Sequence, residues 1–363
     1  MRKRTFLRNL GLATGATLLS PHLLNSTVFS KKGENDFKYW IWINGNNKKS
    51  IIDWKTELAA FKEAGINGLI VGGGRNMLEK LIPIAQALSL EVHAWLWTLN
   101  RPGDKEAMQH PDWYTVSRNG ESSLENKPYV DYYQWLCPSK PEVQEFVKAS
   151  MVAHCDIPGL SGIHLDYVRY CDVILPKGLW AKYDLVQDHE MPEYDFCYCD
   201  TCRSNFKAEH GYDPKDQDDP STDEKWRKYR WDSVTNLVNQ IAKAVHAENK
   251  LISAAVFPYP DLARKLVRQS WNEWNLDMVF PMIYNDFYEE GVDWVEFATK
   301  QGVDELNGKF PLHTGIYLPP TKPEEIKLAI EGAKNGGAEG VAFFSNGSLK
   351  EEKLERFHKL EKY

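Results

Sequence analysis

From residue 37 onward, short apolar, β-branched or aromatic runs alternate with segments whose apolar positions recur at helical spacing. The runs at 39–44, 68–72, 91–99, 162–168, 251–257, 278–284, 312–318 and 340–345 predict eight strands. Between and after them, the period of 3.6 predicts helices at 52–64, 77–88, 141–154, 223–249, 261–272, 294–306, 323–334 and 350–362. Gly65 closes the first as a C-cap signal. The run Ser139-Lys140-Pro141-Glu142 reads as a capping box with Pro at the first helical position. Strict strand–helix alternation implies parallel strands with crossover helices. Eight units fit a single closed α/β (β/α)8 TIM barrel better than an open sheet. No GxGxxG follows the first strand, which disfavours a dinucleotide-binding fold, and Val71-Gly72-Gly73-Gly74-Arg75 reads as a tight turn at the barrel rim. Two connections, 100–138 after the third strand and 171–222 after the fourth, far exceed the usual ~2–6 residues. Both leave carboxyl-terminal strand ends, where barrels place their sites.

The first 30 residues stand apart. Arg2, Lys3, Arg4 and Arg8 precede an apolar stretch from Leu10 to Leu24, the order of a secretory signal. The segment resembles a twin-arginine export signal with Lys3-Arg4 in place of the two arginines, so the Tat and Sec routes both stay open. The alternative, a membrane anchor, needs about 20 apolar residues, more than this stretch has. The expected organisation is an export signal at 1–30 and a barrel at 31–363, in a periplasmic or secreted protein without stable membrane association. The whole chain has a net charge of −7. Without those four basic residues, 40 basic residues face 51 acidic ones, a net of −11. An acidic body argues against nucleic acid as partner, because such binding neutralises phosphates. Thirteen Trp, 17 Tyr and 15 Phe suit both a core and a site that stacks on flat apolar faces.

Carboxylates stand at or just beyond two strand ends. On the fourth strand Ile163 and Leu165 share one face, and His164 and Asp166 the other. Turning the apolar pair toward the helices puts Asp166 inside the barrel mouth, where it loses hydration and must be compensated. Arg169 is near enough in sequence to do so; a purely structural Asp–Arg pair is the alternative. His164, one layer deeper, reads as a hydrogen-bonded core residue rather than a ligand. Glycosidic cleavage takes two carboxyl groups flanking the bond, and Asp166 with Asp286, after the sixth strand, fits that template. Arg169 would favour an ionised Asp166 as nucleophile or base. Asp286, between Tyr284 and Phe287 in its surroundings, suits the protonated acid. Asp172, Glu193 and Asp195 are rival acids in the long loop. Trp42, Trp97, Trp113, Trp135, Tyr259, Tyr284 and Tyr317 are candidates to stack on sugar rings, and Asn44, Asn100, Asn285 and Arg169 to bond hydroxyls.

Four segments carry a family resemblance. Gly162-Ile163-His164-Leu165-Asp166-Tyr167-Val168-Arg169-Tyr170 resembles the signature of the glycosyl hydrolase-like 10 family. Leu136-Cys137-Pro138-Ser139-Lys140-Pro141-Glu142-Val143, Pro281-Met282-Ile283-Tyr284-Asn285 and Gly340-Val341-Ala342-Phe343-Phe344 are similar to its other motifs, in order over 37–346. The resemblance implies a barrel acting on carbohydrate, with Asp166 in the catalytic position. The expected partner is an oligo- or polysaccharide, and no cofactor is expected for catalysis. Asp166 is also similar in placement to the nucleophile of α-amylase-type barrels, but no Glu ends the fifth strand here.

Of six cysteines, Cys197-Tyr198-Cys199-Asp200-Thr201-Cys202 forms a tight group. With Cys171 as fourth member it suits either a structural Zn²⁺ or disulfides, and either would pin the long loop. Cys155 reads as a buried apolar residue on a helix. The leading reading is an exported glycoside hydrolase. A carbohydrate-binding barrel without catalysis would keep the aromatics but lack a paired acid. A metal-dependent hydrolase or lyase would need a His/Asp cluster at the strand ends, where only His164, a layer down, is on offer.

Overall fold

A computed structural model describes residues 37–46 and 48–346. The expected export segment at 1–30 and the expected last helix at 350–362 lie outside the described residues. In chain order the elements are β1 Lys38–Ile43, α1 Ile51–Glu63, β2 Gly68–Val71, α2 Arg75–Ala87, β3 Glu91–Trp97, α3 Pro141–Val152, β4 Gly162–Asp166, α4 Asp200–His210, α5 Glu224–Ala247, β5 Leu251–Val256, α6 Pro260–Val267, β6 Met278–Pro281, α7 Trp294–Leu306, β7 His313–Tyr317, α8 Pro323–Asn335 and β8 Gly340–Phe344. Every strand pairing is parallel, in the order β6-β5-β4-β3-β2-β1-β8-β7. Parallel bridges Val279–Leu312 and Met282–Gly315 join β6 to β7 and bring the sheet round to a nearly closed barrel. The eight strands stand where the hydrophobic runs predict them. Among the described residues no helix is long and apolar enough to cross a membrane.

Two local expectations are corrected. At α3, Lys140 occupies the N-cap and no side chain caps the helix, so the Ser139 capping box does not form. The capping box stands instead at α1, where Ser50 and Asp53 exchange bonds: Asp53 N–H donates to Ser50 Oγ (3.1 Å) and Ser50 N–H to Asp53 Oδ2 (2.9 Å). The helix expected at 261–272 stops at Val267, because Arg268 adopts a left-handed φ of 58°.

The two faces of the strands differ in kind. Outward, Ile41, Ile43, Leu69, Val71, Ile163, Leu165, Ile252 and Val279 are aliphatic and buried in the layer shared with the helices. Helix α1 meets them with Trp54, Leu58 and Phe61, at the i, i+4, i+7 spacing of one face. Inward, the barrel is filled mainly by rings, with Ile70, Ala255 and Ala342 among them: Trp40, Trp42, His93, His164 and Phe280 are all within 2% of complete burial. Glycines make room for them. A Cβ on Gly68 would lie 2.2 Å from the Trp40 ring, and one on Gly340 would lie 2.4 Å from His313 Nδ1. We expect Gly68→Ala to destabilise the protein by about 1–3 kcal/mol, the range for overpacking. The loss of unfolded-chain freedom that normally favours such a change, about 0.4–1 kcal/mol, is smaller. The urea midpoint reads the difference, and an unchanged or higher midpoint would contradict this packing.

Trp42, His164, Ser253, His93 and Glu91 form one directed chain of hydrogen bonds. Trp42 Nε1–H donates to His164 Nε2 (3.2 Å), so that nitrogen is the acceptor and the proton sits on Nδ1, which donates to Ser253 Oγ (2.9 Å). The Ser253 hydroxyl can then donate to His93 Nδ1 (2.9 Å), leaving Nε2–H for Glu91 Oε1 (3.0 Å) at the barrel bottom. Burial, reinforced by His93, holds the His164 pKa well below the ordinary histidine value. His164 is thus a neutral, satisfied core residue.

Candidate active site

The strand ends open into a cleft of about 440 Å³ with Asp166 on its floor. The barrel supplies Trp42 and Asn44 from the end of β1, Trp95 and Trp97 from β3, Tyr317 from β7 and Phe344 from β8. Tyr284 joins them just after β6, its ring centroid 5.1 Å from that of Tyr317. The loop at 100–138 adds Tyr129, Tyr132 and Tyr133, and the loop at 171–222 adds Asp172 and the 3-10 stretch Lys177–Tyr183. The two long connections therefore build the cleft walls, as their place after β3 and β4 leads one to expect.

Asp166 is the last residue of β4 and is 9% exposed. The strand's alternation turns Ile163 and Leu165 outward and Asp166 inward. Each of its oxygens accepts one N–H: Trp95 Nε1 donates to Oδ2 (2.8 Å) and the Tyr167 backbone to Oδ1 (2.7 Å). Tyr167 takes a left-handed φ of 49° at that turn. Burial raises the Asp166 pKa, and the bonds from Trp95 and Tyr167, with the more distant charge of Arg169, limit the rise. Arg169 does favour the ionised form, as expected, but burial is the larger influence and the net direction is upward.

Arg169 is committed elsewhere. Its Nη1 bonds Asp172 Oδ2 (3.0 Å) and the Tyr170 carbonyl (2.9 Å), and its Nη2 reaches the Tyr133 hydroxyl (3.4 Å). The guanidinium lies over the Trp135 ring, 4.8 Å from its centroid. Burial opposes its charge, yet Asp172 and Tyr133 outweigh that and raise its pKa. Arg169 thus pairs with Asp172 and props the loop aromatics of the cleft.

Several predicted site residues lie elsewhere. Asp286 sits in the 3-10 turn Asn285–Tyr288; its side chain is exposed and does not line the cleft. Its backbone packs on the Lys177–Tyr183 stretch so closely that a Cβ on Gly178 would lie 2.2 Å from the Asp286 carbonyl. Asn285 Nδ2 bonds the Glu290 carbonyl (3.0 Å) in the same turn, outside the cleft. Tyr259 has left the barrel as the N-cap of α6 and packs on Trp294 and Phe297. Asn100 is fully buried, its Oδ1 accepting from Gln134 N–H (2.9 Å), so it fastens the loop rather than facing a ligand. Trp113 is stacked on His110, and Trp135 is completely buried beneath Tyr133 and Arg169. Of the rival acids, Asp172 lines the cleft, Glu193 is exposed away from it, and Asp195 is locked between buried arginines. Trp42, Asn44, Trp97, Asp166, Arg169, Tyr284 and Tyr317 do meet at the cleft. Sequence reasoning missed Trp95, although it shares the inward face of β3 with His93 and Trp97. It also missed the tyrosines of the first long loop, which carries no periodic signal.

The cysteine group is regrouped. Cys137, Cys197, Cys199 and Cys202 converge, whereas Cys171 is buried outside the group. Cys171 lies five residues past the end of β4, while Cys137 closes the neighbouring long loop. Among the described residues this is the cluster of metal-ligating side chains close enough to share an ion, and it lies apart from the cleft lining.

No family model matches the chain, and no curated protein matches it. Among solved structures it is similar to the catalytic domain of β-amylase from Paenibacillus polymyxa, at 11% identity and a TM-score of 0.59, covering 89% of this chain and 97% of that one. It is also similar to the endo-β-1,4-mannanase from Thermotoga petrophila, at 11% identity and a TM-score of 0.51, covering 91% of this chain and 77% of that one. The glycosyl hydrolase-like 10 resemblance accordingly rests on the motif segments alone. At such identities what the neighbours establish is the fold: this chain is an eight-stranded (β/α) barrel of the kind that glycoside hydrolases use.

Proposed function

We propose that the protein is a glycoside hydrolase that binds an oligo- or polysaccharide in the aromatic cleft and cleaves it with Asp166 as proton donor. The observation that carries this reading is Asp166 itself, a buried carboxyl with a raised pKa on the floor of a ring-lined cleft. Flat aromatic faces with few polar groups suit pyranose rings, whose faces are apolar and whose edges are hydroxylated. A carboxyl whose pKa is raised by burial is biased toward its protonated form, the form that protonates a departing glycosidic oxygen. Among the described residues the other carboxylate lining the cleft is Asp172, and we assign it the second role, nucleophile or base. The carbohydrate enzymes with the same fold support the substrate class.

One observation favours a second reading. Asp172 is already bound to Arg169, so a cleft with a single uncommitted carboxyl would bind sugars without cleaving them. Both readings are tested by incubating the protein with a panel of oligo- and polysaccharides, following products by mass spectrometry and binding by calorimetry. Hydrolysis of at least one member is the expected result. Binding across the panel with no product would replace the enzyme by a carbohydrate-binding barrel, and neither binding nor cleavage would remove the substrate class. A metal-dependent hydrolase is not favoured, because among the described residues no three His, Cys, Asp or Glu side chains converge at the cleft.

A further inference from the structure

We infer that Cys137, Cys197, Cys199 and Cys202 bind one Zn²⁺ as a tetrathiolate that clamps together the two loops forming the cleft walls. The inference is independent of what the cleft does. The four Sγ atoms are all buried and lie within 4.8 Å of one another. Zinc bonded to four thiolates at about 2.3 Å in a tetrahedron sets every S···S edge at about 3.8 Å. Cys137 Sγ lies 3.8 Å from Cys199 Sγ and 3.4 Å from Cys202 Sγ. A disulfide would require about 2.05 Å and would use the sulfurs in pairs, whereas here one sulfur is close to two others.

The backbone around the cluster suits thiolates. Cys199 is the N-cap of α4 and Cys202 lies in its first turn, so two of the sulfurs stand at the positive end of an 11-residue helix. The Val116 backbone N–H donates to Cys197 Sγ (3.4 Å), a bond that favours the charged sulfur. The C-x-C-x2-C run supplies three ligands from one short segment, and Cys137 adds the fourth from 60 residues upstream of Cys197. A structural site of this kind is closed, with no position left for water, as full enclosure by four sulfurs requires.

The clamp has a place in the architecture. Cys137 ends the loop that carries Tyr129, Tyr132 and Tyr133, and the other three cysteines lie in the loop that carries Asp172 and Lys177–Tyr183. A connection of some 50 residues, whose α-helix α4 buries only Cys202 and Phe206, gains order from a cross-link to its neighbour.

Metal analysis of the full chain, purified without chelator, should find one zinc per chain. Exchange with Co²⁺ should give intense visible d–d bands with thiolate-to-cobalt charge transfer in the near ultraviolet. Cys137→Ser should lose the bound zinc, and Cys171→Ser should keep it, which separates this ligand set from the one that includes Cys171. If Cys137→Ser does not fold, the cobalt spectrum of the wild type still decides the matter. Peptide mapping without reduction that finds a disulfide among the four cysteines would overturn the inference. So would a metal-free wild type with four free thiols, or iron in place of zinc.

Discussion

Asp166→Asn is expected to lower kcat/KM on a substrate of the wild type by about 10²–10⁴-fold, the usual contribution of a positioned acid or base. The fold should persist. Asn keeps one oxygen for Trp95 Nε1–H or the Tyr167 N–H, and the donor left without an acceptor costs about 1–3 kcal/mol. Removing a carboxyl that burial disfavours offsets part of that cost. Activity should therefore fall far more than thermal stability, and measuring both on the same preparation separates the two. An Asp166→Asn protein with full activity would end the assignment.

The pH profile distinguishes the two roles that Asp166 could play. Burial raises its pKa, so the carboxyl is protonated below that raised value and ionised above it. A proton donor then loses activity as pH rises through the value, whereas a nucleophile or base gains it. The free-enzyme limb appears in kcat/KM. Trp95→Phe sharpens the test, because the Trp95 bond lowers the Asp166 pKa and its loss should move the limb to higher pH. A limb that moves to lower pH, or an ascending limb in its place, would transfer the donor role to another group.

The strands were legible because each one carries two kinds of information at once. In β1 and β3 the buried outward residues Ile41, Ile43, Val92 and Ala94 are aliphatic and the inward ones are mainly rings, so both strands show an apolar run and an alternation of character. The same alternation was enough to aim Asp166 inward. It does not extend far past the strand ends. Past Tyr284 the chain coils into a 3-10 turn, and Asp286 points to solvent although a strand extended by two residues would have carried it along the barrel wall. Tyr259 fails for the same reason, since it already caps α6. Helix α4 stayed hidden inside the long loop because only Cys202 and Phe206 of its 11 residues are buried. Partnerships between loops were the least legible. Arg169 is three residues from both Asp166 and Asp172 and pairs with the second, and Cys137 rather than Cys171 completes the sulfur group. Those choices depend on how two neighbouring long loops pack, and local spacing does not encode that.

Asp195→Asn is expected to destabilise the protein by about 3–5 kcal/mol at neutral pH, the range for removing one partner of a buried ion pair. Asp195, Arg230 and Arg268 are all completely buried. Arg230 bonds Asp195 Oδ1 directly, Arg268 Nη2 lies 3.5 Å from the same oxygen, and the Tyr198 hydroxyl donates to Oδ2 (2.6 Å). Arg268 also bonds Glu190, which softens the loss without supplying a second buried anion. With an amide at 195, two guanidiniums would face each other across a neutral group in a place water does not reach. Lys300–Asp304 on α7 is the contrasting pair, with both side chains more than half exposed. Asp304→Asn should cost about 1 kcal/mol or less. Burial pushes the Asp195 pKa up, but Arg230, Arg268 and Tyr198 together overturn that and hold it below the ordinary value. A carboxyl lowered in the folded state stabilises above its unfolded pKa and loses that contribution as pH falls through the folded one. Urea unfolding of wild type and Asp195→Asn should thus show the full gap at neutral pH and a narrowing gap in acid. A gap below about 1 kcal/mol at neutral pH would mean that this aspartate is solvated like a surface one. A gap that widens in acid would mean that the arginines do not hold it ionised.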